Sequence, residues 1–351
     1  MAHRQASFLS VTTLALAGCV GRGAGSGPAA SATVTPTTVG RPGRESFGLP
    51  VPPGGGVPRP SGTPGGLTVL DWAGFRAAVS YTFDDTNSSQ IVNYPALNAL
   101  GVPMTFYLIT NKKEFNDPVW AQAIKDGHEI GSHTRSHLRP GTAADVDAGD
   151  ADLRSKLGIT VYTMAAPYGD GSYTPLAQTR YLFNRGVADG LIAPQDDTNP
   201  FFLPCYVPPE NAPAATMNEN IDSLHGAGRW KTVLVHGFVG GTDAAYKPVA
   251  LAEFVAHVNH VKQLGDVWID SVVNVGAYWT AQKMFAGITP TASGNSKTWT
   301  WTLPPHFPPG RVLRVRVDGG TLTQPGGKTL AWDEHGYYEV ALDAGTLTLS
   351  P

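Results

Sequence analysis

The stretch Ala77-Ala78-Val79-Ser80-Tyr81-Thr82-Phe83-Asp84-Asp85 joins an apolar run to two adjacent carboxylates. The apolar part, Ala77–Phe83, predicts a buried β-strand, and the aspartates follow where it ends. Successive strand residues point to opposite faces, so Asp84 and Asp85 serve one site only if the chain has already left strand geometry. Because active sites in parallel α/β folds lie at the carboxyl ends of strands, the stretch predicts a functional loop.

Outward from this strand, short strands alternate with helices over some 200 residues. Further strands are predicted at 103–109, 128–132, 160–164 and 231–235. Helices are predicted at 92–100, 118–125, 145–157 and 249–264, and another begins at Thr174-Pro175, with Thr as N-cap and Pro at the first position. This alternation predicts an α/β domain with a parallel sheet over residues 70–288, either a barrel or an open sheet.

Charge and apolar runs argue against a nucleic-acid partner and against a membrane-spanning helix. Among 351 residues, 25 basic against 28 acidic side chains give a net charge of -3, so no concentrated basic surface for nucleic acid is indicated. No apolar run reaches the roughly 18 residues that a membrane-spanning helix needs.

The N-terminus predicts export. Basic residues precede an apolar run that ends in Leu16-Ala17-Gly18-Cys19, the layout of a secretory signal peptide. The ending resembles a bacterial lipobox, which implies removal of residues 1–18, lipidation of Cys19 and a membrane-anchored lipoprotein of the cell envelope or exterior. The alternative is an ordinary signal peptide that contains a cysteine. Gly- and Pro-rich residues 19–69 predict a flexible tether, and the other cysteine, Cys205, is interpreted as a buried, inert thiol.

Residues 289–351 follow a strict two-residue alternation that predicts a small all-β module. Trp299 and Trp301 lie on one face of its first strand. They could form a platform for sugars, but we favour the interpretation that they pack the core of the module.

Two histidines provide the strongest chemical signal. His133 and His137 are four residues apart in Ser132-His133-Thr134-Arg135-Ser136-His137, a spacing that places both on one face of a helical turn. With Asp85 they form a ligand set that leaves open positions on a catalytic zinc ion. His236, at the end of a late apolar strand, is a candidate general acid. His257 and His260 are interpreted as surface or partly packed positions.

Four segments together resemble the NodB-homology polysaccharide deacetylases, carbohydrate esterase family 4. They are Thr82-Phe83-Asp84-Asp85, His133-Thr134-Arg135-Ser136-His137, Ala165-Ala166-Pro167-Tyr168-Gly169 and Leu234-Val235-His236. The resemblance covers roughly residues 75–285 in the family's order. It implies a deformed (β/α) barrel with fewer than eight full units, and hydrolysis of N-acetyl or O-acetyl groups on sugars.

The resemblance also implies a role for each matching residue. Asp84 would be the general base, His236 would protonate the leaving group, and the Tyr168 backbone N–H would bind the oxyanion. Asp85, His133 and His137 would hold a divalent metal, Zn²⁺ first, with Co²⁺ or Ni²⁺ as alternatives.

The chain departs from the family in two places. The arginine that begins the third motif, and orients the base, is Ala165 here. The aspartate that supports the distal histidine is not recognisable, and Asp189, Asp196 and Asp197 all lie in the right region.

Three functional hypotheses remain open at this point. The first is a deacetylase acting on polymers that contain N-acetylglucosamine, and the second is an O-acetyl esterase acting on acetylated xylan or a similar glycan. The third, prompted by the missing arginine, is a non-catalytic carbohydrate-binding lipoprotein on a degenerate fold.

Overall fold

The computed structural model describes residues 48–351. The predicted signal peptide, Cys19 and much of the tether lie outside these residues. The described helices are α1 (Ser88–Ala99), α2 (Val119–Lys125), α3 (Ala143–Leu157), α4 (Tyr173–Ala177), α5 (Ala214–Ala227), α6 (Leu251–Gln263) and α7 (Val272–Ala286). The strands of the N-terminal part are β1 (Leu67–Val69), β2 (Ala77–Phe83), β3 (Thr105–Leu108), β4 (Glu129–Ser132), β5 (Thr163–Ala165), β6 (Phe183–Arg185), β7 (Trp230–Val235) and β8 (Val267–Ile269). The C-terminal strands are β9 (Thr291–Ser293), β10 (Ser296–Thr300), β11 (Val312–Val317), β12 (Thr321–Gln324), β13 (Lys328–Thr329), β14 (Trp332–Asp333), β15 (Tyr337–Ala341) and β16 (Thr346–Ser350).

A parallel sheet forms the centre of the domain, in the order β6-β5-β4-β3-β2-β7. Strand β2 is buried at every position and pairs with β7 along Ala78–Phe83. Its other edge pairs with β8 near its start and with β3 near its end. Because β8 and β3 pair with successive parts of one edge of β2, the sheet curls instead of lying flat. The fold is therefore a deformed (β/α) barrel, as predicted.

An irregular segment, residues 203–206, spans the gap between the two ends of the curled sheet. Leu203 bridges to Arg185 at the end of β6, and Tyr206 bridges to Val233 in β7, both in parallel fashion. Cys205 lies in this segment and is fully buried, as predicted. Burial raises the pKa of its thiol to about 11, which disfavours the reactive thiolate.

The C-terminal strands form two antiparallel sheets, β1-β11-β15-β14 and β13-β12-β16-β10-β9. Strand β1 comes from ahead of the barrel, since Leu67–Val69 pairs with Val315 to Val317. The rings of Trp299 and Trp301 pack against Phe285 of α7, with centroids 6.2 and 5.6 Å away. The interpretation of these tryptophans as core residues is therefore confirmed.

Two local expectations are wrong. Helix α4 begins at Tyr173 after Ser172, not at Thr174-Pro175. His257 of α6 is fully buried, because its ring contacts Tyr81 of β2 and Asn218 of α5. No helix among residues 48–351 is both long and apolar enough to cross a bilayer.

Candidate metal centre and catalytic cleft

The loop after β2 brings both aspartates to one place. Asp85 and Thr86 adopt left-handed backbone conformations, with φ of 72° and 55°. The turn breaks the alternation of the strand, and Asp84 and Asp85 both line the same cleft. The Thr86 hydroxyl accepts a 2.7 Å hydrogen bond from the Ile109 N–H, which ties the turn to the chain beyond β3. The requirement that the chain leave strand geometry here is therefore met.

The loop after β4 supplies the two histidines, but not on a helical turn. Residues 133–137 contain no helix, and Thr134 and His137 are left-handed, with φ of 65° and 54°. The two rings nevertheless lie 4.7 Å apart between centroids. Gly149 of α3 packs against this loop so closely that a β-carbon there would lie 2.7 Å from the Thr134 carbonyl carbon. The expectation of a helical turn was wrong, while the pairing of the histidines was right.

The three predicted metal ligands converge. Asp85 Oδ1 lies 3.4 Å from His133 Nε2 and 3.5 Å from His137 Nε2. Two nitrogen or oxygen ligands on a tetrahedral zinc ion lie about 3.4 Å apart, because each bond is about 2.0–2.1 Å long. His133 Nδ1 is 2.8 Å from the Ala165 carbonyl oxygen, so it donates there and leaves Nε2 free as a ligand. The residues fit a divalent ion of this kind.

The electrostatics of the three ligands favour a cation. Burial works to raise the pKa of Asp85, but hydrogen bonding and charge from His133 outweigh it, and the pKa falls below its usual range. Burial and the charge of His133 lower the pKa of His137 to about 4, so this ring is neutral. Burial works to lower the pKa of His133, but the charge of Asp84 and the hydrogen bond and charge of Asp85 raise it, so the two carboxylates favour positive charge at this point.

The remaining predicted residues surround the same cleft, which has a volume of about 730 Å³. The ring of Tyr168 is half exposed and lies 4.4 Å from the His137 ring between centroids. On the other side, His236 meets the exposed ring of Tyr246 edge-on at 5.2 Å. Both residues line the cleft, and the roles predicted for Tyr168 and His236 stay predictions.

The support predicted for His236 takes a different form. Its backbone carbonyl accepts 2.8 Å hydrogen bonds from the side chains of Asn87 and Gln90, while its buried Nδ1 has no partner among the described residues. Asp189 instead pairs with Lys231 at 2.9 Å, and Asp196 accepts from the Ala193 N–H. Burial lowers the pKa of the His236 ring.

Sequence reasoning missed Arg185, the last residue of β6. Its side chain is fully buried, and Nη2 donates to Asp84 Oδ2 in a close ion pair. The available signal was a charged residue two positions after the apolar run Tyr181-Leu182-Phe183, at the end of a strand too short to recognise.

Comparison with known proteins supports the resemblance predicted from the motifs. The model of the family described as polysaccharide deacetylase matches residues 76–183. A gellan lyase of Bacillus sp is 31% identical over 145 residues, which cover 38% of this chain and 6% of that protein.

Solved structures with a similar fold include a putative polysaccharide deacetylase from Mycobacterium smegmatis, 19% identical, covering 66% of this chain and 96% of that one, with a TM-score of 0.47. A probable polysaccharide deacetylase from Pseudomonas aeruginosa PAO1 is 11% identical, with 61% and 94% coverage and a TM-score of 0.47. A family 4 acetyl xylan esterase from Clostridium thermocellum, solved with a cobalt ion, is 15% identical, with 56% and 89% coverage and a TM-score of 0.41. The family model's match over residues 76–183 includes Asp84, Asp85, His133 and His137, and over these residues the predicted resemblance to the polysaccharide deacetylases is confirmed.

Proposed function

We propose that the chain is a metal-dependent hydrolase that removes acetyl groups from a carbohydrate polymer. One observation carries the proposal. Asp85, His133 and His137 offer ligand atoms that all lie within 4.8 Å of one another, beside a buried carboxylate, Asp84, in an open cleft. Zn²⁺ is the first candidate for the ion, because one carboxylate and two imidazoles match its catalytic sites.

A bound divalent cation would polarise the acetyl carbonyl and make a water molecule more acidic. The protein residues would carry the protons and stabilise the charge. Asp84 would accept a proton from the attacking water, and the Tyr168 backbone N–H would donate to the oxyanion. His236 would protonate the departing amine or alkoxide, and its lowered pKa makes the protonated ring a stronger acid.

The shape of the cleft suits a polymer. The exposed rings of Tyr168 and Tyr246, 56% and 60% accessible, stand beside His137 and His236. Such rings offer flat apolar faces with a polar edge, a surface on which a sugar ring can pack. N-acetyl groups of glycans that contain N-acetylglucosamine are our first substrate, and O-acetyl esters such as acetylated xylan are the alternative.

The proposed setting is the cell exterior. Residues 1–47 lie outside the described structure, so the signal peptide, the lipid on Cys19 and the tether rest on the sequence alone. A tether behind a lipid anchor would allow the cleft to stand off the membrane and reach a polymer.

The test is acetate release from chitooligosaccharides, peptidoglycan, poly-N-acetylglucosamine, acetylated xylan and gellan, the last because the Bacillus relative is a gellan lyase. Wild type is compared with Asp84→Asn and His133→Ala, with and without added Zn²⁺. We expect rapid metal-dependent release by wild type and only residual release by the two variants, and the preferred substrate decides between amide and ester. No release from any substrate despite a bound metal would refute the hydrolase and favour a carbohydrate-binding protein.

A further inference from the structure

Arg185 is a buried cation committed to one carboxylate. Its side chain has no exposed surface, and Nη2 donates to Asp84 Oδ2. Nη1 donates to the Gly186 carbonyl at 2.9 Å, and the guanidinium lies 5.5 Å from the centroid of the Tyr107 ring. A buried charge is retained only when it is paired and hydrogen-bonded, and this pair is confined from several sides.

The ion pair makes the two oxygens of Asp84 unequal. Oδ2 is held by Arg185 and lies 3.7 Å from His133 Nε2. Oδ1 is buried and has no hydrogen-bond partner among the described residues. An unpartnered buried carboxylate oxygen is unfavourable unless a ligand donates to it, so Oδ1 is the acceptor that the site keeps available.

We propose that Arg185 is the positioning residue for Asp84, holding Oδ2 so that Oδ1 faces the reaction. This inference rests on the proposed hydrolysis. In that step the water oxygen forms a bond to the acetyl carbon while one O–H bond of the water breaks. The proton passes to Asp84 Oδ1, and the electron pair of that O–H bond stays on the attacking oxygen. The π pair of the acetyl C=O bond moves onto the carbonyl oxygen, which becomes the oxyanion. Arg185 itself touches neither water nor substrate.

The register between β5 and β6 explains how an arginine in β6 can replace one at the motif position in β5. Ala165 of β5 and Arg185 of β6 are register partners, so their side chains leave the sheet on the same face. Ala165 is fully buried, and its carbonyl accepts from His133 Nδ1. A guanidinium can therefore reach the same carboxylate from either strand, and the short side chain of Ala165 leaves that space to Arg185.

The test is a double-mutant cycle between Arg185 and Asp84. Arg185→Ala should lower kcat by about 100-fold, the lower end of what a well-placed general base contributes. KM should stay within about threefold, because the arginine does not contact substrate. In an Asp84→Asn background, adding Arg185→Ala should cause no further loss, because Arg185 acts only through Asp84.

Two further variants separate positioning from folding. Arg185→Lys keeps the buried positive charge but not the planar fork, and should recover only part of the loss. Arg185→Ala combined with Ala165→Arg should regain at least about tenfold over Arg185→Ala alone, because the guanidinium returns from the adjacent strand. Arg180→Ala, which breaks an ion pair with Asp147 outside the cleft, is the matched control and should keep wild-type kcat.

Zn²⁺ affinity, measured by calorimetry in each variant, is the readout independent of turnover and should remain close to that of wild type. An Arg185→Ala enzyme with wild-type kcat would overturn the inference while leaving the hydrolase intact. A kcat loss that follows lost Zn²⁺ binding, or that adds to Asp84→Asn, would also overturn it. An inactive wild type would instead refute the proposed function and this role together.

Discussion

The buried ring of His257 makes the stability of the barrel depend on pH. Tyr81 Oη lies 3.0 Å from His257 Nε2, and Nδ1 lies 2.8 Å from Asn218 Oδ1. A neutral ring satisfies both contacts, because Nδ1–H donates to the amide oxygen and Nε2 accepts from the tyrosine hydroxyl. Burial, and then the nearby charge of His260, lower the pKa of His257 from 6.5 to about 4.

The direction of this pH dependence follows from proton binding in the folded and unfolded states. Between these two pKa values the unfolded chain binds a proton at His257 and the folded chain does not, so the free energy of unfolding falls as pH falls. The full difference between the two pKa values corresponds to about 3 kcal/mol in the free energy of unfolding. Lowering the pH from about 8 to about 4.5 should therefore reduce the free energy of unfolding by about 2.5 kcal/mol. Below about pH 3 both states are protonated at His257, and this contribution becomes constant.

The assay is urea unfolding followed by tryptophan fluorescence across this range, with a chelator present to keep metal off the cleft. His257→Gln should lose stability at neutral pH but show a shallower slope, so the difference between the curves shrinks by about 2.5 kcal/mol on acidification. Other titrating groups are common to both proteins and cancel in the difference. His306→Asn, which removes an exposed histidine, is the matched control and should follow the wild-type curve. Parallel curves for wild type and His257→Gln would refute the reasoning.

Two further predictions concern the ion and the N-terminus. Zn²⁺ at about 100 times its dissociation constant should stabilise wild type by about 2.7 kcal/mol in thermal unfolding. His137→Ala should lose most of this gain while His260→Ala keeps it, and an equal gain in His137→Ala would place the ion elsewhere. Replacing the predicted lipid-bearing residue, in Cys19→Ser, should abolish incorporation of labelled fatty acid and release the chain from the membrane fraction. A variant that still carries the label would contradict the proposed anchor.

The elements that sequence predicted well are those whose pattern is local. Strand β2 was predicted at its observed bounds, since its apolar run ends abruptly in carboxylates. Helix α6 was predicted within two residues at its start, because one face is apolar and Gly265 follows it with φ of 77°. Helix α7 was missed because nearly all sides of it are buried, and a helix apolar all round shows no periodicity.

The convergence of Asp85, His133 and His137 was predictable although the backbone that carries them was not. The prediction rested on residue types and spacing, and it assumed a helical turn at 133–137. The structure reaches the same pairing of His133 and His137 through a loop with left-handed residues, which α3 packs against at Gly149. A ligand set constrains where side-chain atoms meet, and more than one backbone path satisfies that constraint.

Arg185 escaped prediction because its importance depends on register rather than on sequence neighbourhood. It pairs with Asp84, 101 residues earlier in the chain, and it lies at the end of a three-residue strand without a readable pattern. The family motif places its arginine at position 165, and Ala165 in that position suggested a defective base. The proposed role, however, needs a guanidinium beside Asp84, and the register partners Ala165 and Arg185 leave the sheet on the same face of adjacent parallel strands. An absent motif residue is therefore evidence of lost activity only after the neighbouring strand has been searched for the same chemical group.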